Sequence, residues 1–300
     1  MEGHHRDTVF VTIVTSPAEL SAVALLVRCL RTFGGEMKDM PGFVLTGMAK
    51  ENLAHFQSEK HITIVPLPEE RSAEPYFFRS KVMACAQAER LLQTDGTTLI
   101  WLNPMTLVLQ EPTEFLLAGE RKAAFRPVHV QNIGQHIGEP LDPYWAAVYE
   151  RVGRVADRYH VTSLLDGKDL RPYFNSHLFA VDTSFRIMQE WEDIFNELVQ
   201  DDGFQRACCA DILHQVFLHQ AVLSALIDAR LERAQIHILP EEYSYPLHFH
   251  LQLNVDRQAR SLDDLVCPVY EEGFHYPETL SNMSVSSSLS EWLQKQSRSV

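Results

Sequence analysis

The alternation of apolar and polar positions gives the first picture of the chain. Residues 9–14 (VFVTIV) form a β-branched run of the kind that makes a buried strand. TSPAEL follows, with Ser16 and Glu19 at capping-box spacing and Pro17 at the first helical position. Leu20, Val23, Ala24, Val27 and Leu30 then share one helical face, which Gly34-Gly35 closes. Residues 43–45 and 61–65 read as the next two strands. After Pro75, the Ala-rich residues 79–92 predict a helix that stops at Thr94-Asp95-Gly96, and residues 98–102 predict a further strand. Strands alternating with helices imply an α/β domain: a mostly parallel central sheet with helices on both faces.

Regularity then weakens. Residues 125–168 are rich in His, Pro, Gly and aromatics and read as a long irregular excursion, the kind of loop that carries function on a rigid scaffold. Residues 179–182 resume a strand. Residues 185–198 predict a helix with Ile187, Trp191, Ile194, Phe195 and Leu198 on one side, and 210–231 predict another. The final stretch, SNMSVSSSLSEWLQKQSRSV, starts as a Ser-rich linker and ends as a short helix. There Ser288 and Glu291 have capping-box spacing, and Leu289, Trp292 and Leu293 are the packing side chains. One domain over 1–280 and a linker with a short helix over 281–300 are therefore expected, with no internal repeat.

Composition narrows the classes of function. The 300 residues carry a formal charge of −14, which disfavours a nucleic-acid or anionic-membrane surface. An anionic ligand would need a local cluster of Arg or Lys. The five cysteines lack a CxxC pair and read as reduced thiols. MEGHHRDTVF has no long apolar stretch of the signal-peptide kind, and no uninterrupted apolar run approaches the roughly 20 residues of a membrane helix. A cytoplasmic location is expected. No GxSxG elbow, GxGxxG loop or Walker loop occurs, so serine-hydrolase, dinucleotide and P-loop readings find no support.

The most informative segment is IWLNPMTLVL, residues 100–109. An apolar strand runs into Asn-Pro, a break that presents polar side chains at a strand end, where α/β proteins keep ligands. Asn103 and Met105, an amide and a thioether, occupy the presented positions.

The order of segments resembles the nucleotide-sugar-binding glycosyltransferase A (GT-A) fold, in particular the group related to the retaining, glycogenin-like transferases. TIVTSPAE, with Thr15, resembles the first strand and nucleotide-facing loop, and FRSKVMAC the segment bearing a basic residue near the phosphates. YFNSHLFAVD resembles the family's Phe-Asn-Ser/Ala-Gly strand, and FLHQAVLSALI its Asp-Gln-x-x-Leu helix. The resemblance spans roughly residues 9 to 280. In that family the strand at 98–102 runs into Asp-x-Asp, whose carboxylates meet a divalent metal. Aligned residue by residue, they become Asn103 and Met105. Mg²⁺ and Mn²⁺ want hard, preferably anionic oxygens, so no metal cofactor is expected unless the altered motif still holds one.

The resemblance therefore implies a nucleotide-sugar donor, an unknown acceptor and hexose transfer without a tightly bound metal. The alternative is a non-catalytic relative acting as a binding or scaffold subunit. Arg79, Lys81, Arg126 and Arg171 are the candidates to offset phosphate charge, or else solvated surface charges. Asn175 is the candidate for sugar hydroxyls, or a turn-forming amide. Gln220 matches the group near the anomeric carbon, or is a satisfied buried glutamine. His177 stands at the family's Gly and His219 at the acidic residue before the Gln. His275 is the weak metal candidate, and His248 and His250 would project together if their segment is extended.

Overall fold

The computed structural model describes residues 7–49, 53, 56, 59–68, 75–92, 96–153, 159–271 and 274–297. His4-His5 and the predicted stop at Thr94-Asp95 fall outside them.

The predicted opening is present. Strand β1 (Thr8–Val14) leads to helix α1 (Pro17–Phe33), with Pro17 in its first turn and the Ser16 hydroxyl accepting from the Glu19 amide. The reciprocal arm lands one residue early, because the Glu19 carboxylate takes the Thr15 amide and hydroxyl at 2.6 and 2.7 Å. β2 (Gly42–Thr46), β3 (Ile62–Pro66), α2 (Arg79–Leu91) and β4 (Thr98–Leu102) follow. Next come β5 (Ala123–Pro127), α3 (Pro143–Val152) and the short pair β6 (Val161–Thr162) and β7 (Asp169–Leu170). The long strand β8 (Phe174–Asp182) precedes α4 (Ile187–Gln200), α5 (Asp202–Cys208) and α6 (Ile212–Arg230). The chain ends in β9 (Ile236–Ile238), β10 (Tyr243–Pro246), β11 (Cys267–Val269) and α7 (Ser287–Ser297).

Seven strands make the main sheet in the order β3-β2-β1-β4-β8-β5-β9. All pairs are parallel except those of β8, which runs antiparallel between β4 and β5. The expectation of a mostly parallel sheet holds, with one reversed strand inserted. Period-two alternation divides the core. Val11, Leu99, Trp101, Phe125 and Phe179 face α2, α3, α4 and α6, while Phe10, Ile100, Leu102, Leu178 and Ala180 face α1 and α7. Helices thus cover both faces.

The excursion at 125–168 contains a helix that periodicity missed, although its signals are strong. The Asp142 side chain caps it by accepting from the Trp145 amide, Pro143 opens it, and Gly153 at φ +77° closes it. The 248/250 expectation is corrected. Leu247–Gln252 is a 3₁₀ helix, so the two imidazoles diverge: His248 meets Glu271 at 3.3 Å, and His250 pairs with the Tyr245 hydroxyl at 2.7 Å. At the C-terminus, the Ser286 amide bonds Asp263, Leu289 and Leu293 are buried, and Trp292 packs edge-on against Phe33. α6 is apolar and long enough to cross a membrane by composition, and 67% of its apolar window is buried inside the fold.

Candidate functional site

The sheet's strand order reverses direction at β1 and β4, the switch point where open α/β sheets hold ligands beyond the strands' C-terminal ends. Because β8 is antiparallel, it delivers its beginning, Asn175 to His177, to that same edge. A large bulge shapes this beginning. Between the pairs Phe125–Phe179 and Pro127–Phe174, β5 advances two residues while β8 advances five. Bulges re-aim side chains next to functional sites. Here the bulge turns Ser176 toward α2 and α6, and His177 toward the loop after β5.

Ser176 is the hub. Lys81, in the first turn of α2, donates to its carbonyl at 3.2 Å and to its hydroxyl at 3.1 Å. His219 Nε2 lies 2.9 Å from the same hydroxyl, and Gln220 Oε1 accepts from the Ser176 amide at 3.2 Å. All four residues are buried. His219 Nδ1 sits 3.0 Å from the Val216 carbonyl. A proton on Nδ1 leaves Nε2 to accept from Ser176, whose oxygen in turn accepts from Lys81. Burial and the Lys81 charge hold His219 well below the usual imidazole range, in keeping with this neutral tautomer. Burial also lowers the Lys81 amine from the usual 10.5 to about 8. Among the described residues its ammonium meets no carboxylate.

Phe78 roofs this group from a left-handed backbone conformation, φ +58°, unusual for a bulky residue. Its ring lies 4.3 Å from that of His219 and 4.9 Å from Lys81 Nζ. On the other side of the bulge, the ring of His177 lies 5.4 Å from that of His129, whose Nε2 is 2.7 Å from the Ser244 carbonyl. Burial lowers His129 to about 3 and drives His177 well below its ordinary range, so both are neutral near pH 7.

The other candidates are placed as follows. Asn103 is adjacent to the hub through its backbone, its amide donating to the His177 carbonyl at 2.9 Å. Its side-chain oxygen accepts from the Met105 amide at 2.9 Å, closing an Asx turn. Met105 is half-buried against the core, and its carbonyl accepts from the Tyr270 amide. The Asn175 side chain likewise closes a turn, accepting from the His177 amide. Thr15 is exposed and held by Glu19. Arg79 is buried at the start of α2. Arg126 bonds the Leu239 carbonyl at 3.2 Å and faces Glu241 at 3.7 Å, while Arg171 bonds the Glu139 carbonyl at 2.7 Å. Of the four basic candidates, Lys81 bonds to the hub.

These residues do not fit a hard dication. The Asn103 oxygen is engaged by its own turn, Met105 offers only a thioether, and His275 is exposed. Among the described residues, no three His, Cys, Asp or Glu side chains are grouped to hold a metal ion.

Two residues absent from the sequence reading emerge here. Ser176 lay within the quoted FNSHLFAVD motif, with nothing in its spacing to single it out. His129 is brought in by the loop after β5, which no local pattern specifies.

Known structures share this fold. The galactosyltransferase LgtC, solved with donor and acceptor sugar analogs, superposes with a TM-score of 0.52 at 12% identity, over 97% of this chain and 96% of LgtC. GlyE of Streptococcus pneumoniae TIGR4 superposes with a TM-score of 0.52 at 11% identity, over 97% of this chain and 60% of GlyE. The bifunctional WbbM gives 0.52 at 11% identity, over 99% of this chain and 52% of WbbM. At such identities the likeness is one of fold, the GT-A fold. Among curated protein sequences there is no match. The family model of the Rhodobacterales glycosyltransferase domain matches residues 11–229, well over half of the sequence, and the chain belongs to that family.

Proposed function

We propose that the chain binds a nucleotide sugar at the ends of β1, β4 and β8 and transfers its hexose to an acceptor without a tightly held metal. The observation that carries this reading is Lys81, a buried ammonium that meets no carboxylate among the described residues and lies at the sheet's switch point. An ammonium kept in a low-dielectric setting without a counter-charge is a fixed electrostatic partner for a diphosphate. As the sugar–phosphate bond breaks, charge grows on the leaving diphosphate, and Lys81 stabilises it there. Arg79, in the same first turn, adds a second cation. In this reading Asn175, at the beginning of β8, and Asn103, just past β4, hold hydroxyls of sugar and ribose. Gln220, oriented through its bond to the Ser176 amide, presents its side-chain amide to the anomeric centre.

A thermal-shift screen with UDP-, GDP- and ADP-sugars, each with and without Mn²⁺, tests the reading. A ligand at 100 times its dissociation constant stabilises the fold by about 2.7 kcal/mol. The expected result is a shift from one nucleotide class that is the same with and without Mn²⁺. No shift with any donor removes the reading. A shift that requires Mn²⁺ removes its metal-free clause.

A further inference from the structure

A hollow of about 300 Å³ lies between the 3₁₀ helix Leu247–Gln252 and the turn Glu278–Leu280 with the residues after it. That volume is at the lower end of the range for small-molecule sites. Its polar wall includes the uncharged groups of Gln252, Ser281 and Asn282, with Leu251 and Met283 supplying apolar surface. Among the described residues, no lysine or arginine lines it and Glu278 is its one carboxylate. His248 and His250 complete the wall, both held by burial below the usual imidazole range.

The histidine wall of this hollow packs toward the β8 bulge. The His248 ring lies 6.5 Å from that of His129, which is 5.4 Å from that of His177 at the β8 bulge. Phe249 adds a further ring 6.4 Å from His129. A row of packed rings, His248, His129 and His177, therefore separates the hollow from the β8 bulge. The buried Nδ1 atoms of His177 and His248 meet no hydrogen-bond partner among the described residues.

We infer that this hollow is a subsite for an uncharged saccharide, the acceptor of the transfer, set beside the β8 bulge by the packing of His248 on His129 and of His129 on His177. The chemistry favours that class over others. Amides and hydroxyls match sugar hydroxyls, which donate and accept alike, while leucine and methionine side chains meet the apolar faces of pyranose rings. A phosphorylated or uronic acceptor would meet Glu278 and no cation in a chain of formal charge −14, so it is disfavoured. The acceptor role rests on the transferase reading above, whereas saccharide binding by the hollow does not.

Saturation-transfer NMR on the full chain, with maltose and cellobiose as neutral probes and glucuronic acid as the anionic control, tests the subsite. Calorimetry with UDP and GDP on the same preparation reports on the donor cleft independently. The expected result is transfer to a neutral disaccharide, little to glucuronic acid, and at least about tenfold weaker disaccharide binding in Ser281→Trp, equivalent to about 1.4 kcal/mol. Ser281 is exposed, and Asn282→Trp serves as a second block should the first variant fold poorly. No transfer to either disaccharide overturns the proposal, as do equal binding of glucuronic acid or undiminished binding in a folded blocked variant. Saccharide binding without nucleotide binding keeps the subsite and removes the donor reading.

Discussion

Lys81→Met separates the stability of the fold from its function. In the folded protein, burial holds this amine at about 8, against the usual 10.5. Each tenfold difference in proton affinity is about 1.4 kcal/mol, so at pH 7 the buried charge costs the native state about 3 kcal/mol. Below pH 8 folded and unfolded chains both carry the proton, and that cost is full. Between pH 8 and 10.5 the unfolded chain keeps a proton that the native chain has released, so the cost shrinks as pH rises, to about 1 kcal/mol at pH 9.5. Methionine fills similar space without charge but leaves the Ser176 carbonyl and hydroxyl without their lysine donor, a loss of about 1 kcal/mol. Lys81→Met is therefore expected to be about 2 kcal/mol more stable than the natural chain at pH 7, with that advantage gone by about pH 9.5. Urea unfolding followed by tryptophan fluorescence at the two pH values measures it. A variant that is less stable at pH 7, or a difference that does not change with pH, refutes the reasoning. The same variant is expected to lose at least about tenfold in nucleotide-sugar affinity, the worth of one charge-assisted hydrogen bond.

Two further outcomes follow from the site. Asn103→Asp with Met105→Asp is expected to confer measurable Mn²⁺ binding by calorimetry while the chain stays folded, because aspartate can close the same turn on the residue-105 amide. Unchanged Mn²⁺ affinity would mean that the two side chains do not share a cleft. Ser176→Ala removes the proton donor to His219 Nε2 and leaves that buried nitrogen unpaired, a loss of about 1–3 kcal/mol in urea unfolding. A loss well under about 0.5 kcal/mol, the size of a neutral surface change, would show that His219 finds another partner.

What the sequence disclosed follows from how locally each feature is encoded. β1, α1 and β4 carry their own periodicity and caps, and all three occur where their patterns put them. The reversed strand β8 was legible as a strand but not in direction, because pairing between residues 98–102 and 178–182 is a non-local choice. Asn103 was legible as a strand-end amide, since a break after an apolar run is a local signal. The assembly of Lys81, Ser176 and His219 was not, because it depends on a bulge in β8 set by packing against β5. Arg126 shows a tie of the same non-local kind. Its place in the chain suited a phosphate contact, yet the fold bonds it to the Leu239 carbonyl, a tie between segments that no spacing could disclose.

The stretch after β4 is laced to residues 266–270 by main-chain bonds from Leu107 and Leu109 and into the Met105 carbonyl. Such a ladder is indifferent to the side chains that hang from it. The strand can therefore keep its course with acids at positions 103 and 105 in place of the amide and thioether, provided residue 103 still closes its turn and residue 105 still fits against the core. On the metal-free reading proposed above, a cation-dependent site and a cation-independent one would be neighbours in sequence space, two substitutions apart within one architecture.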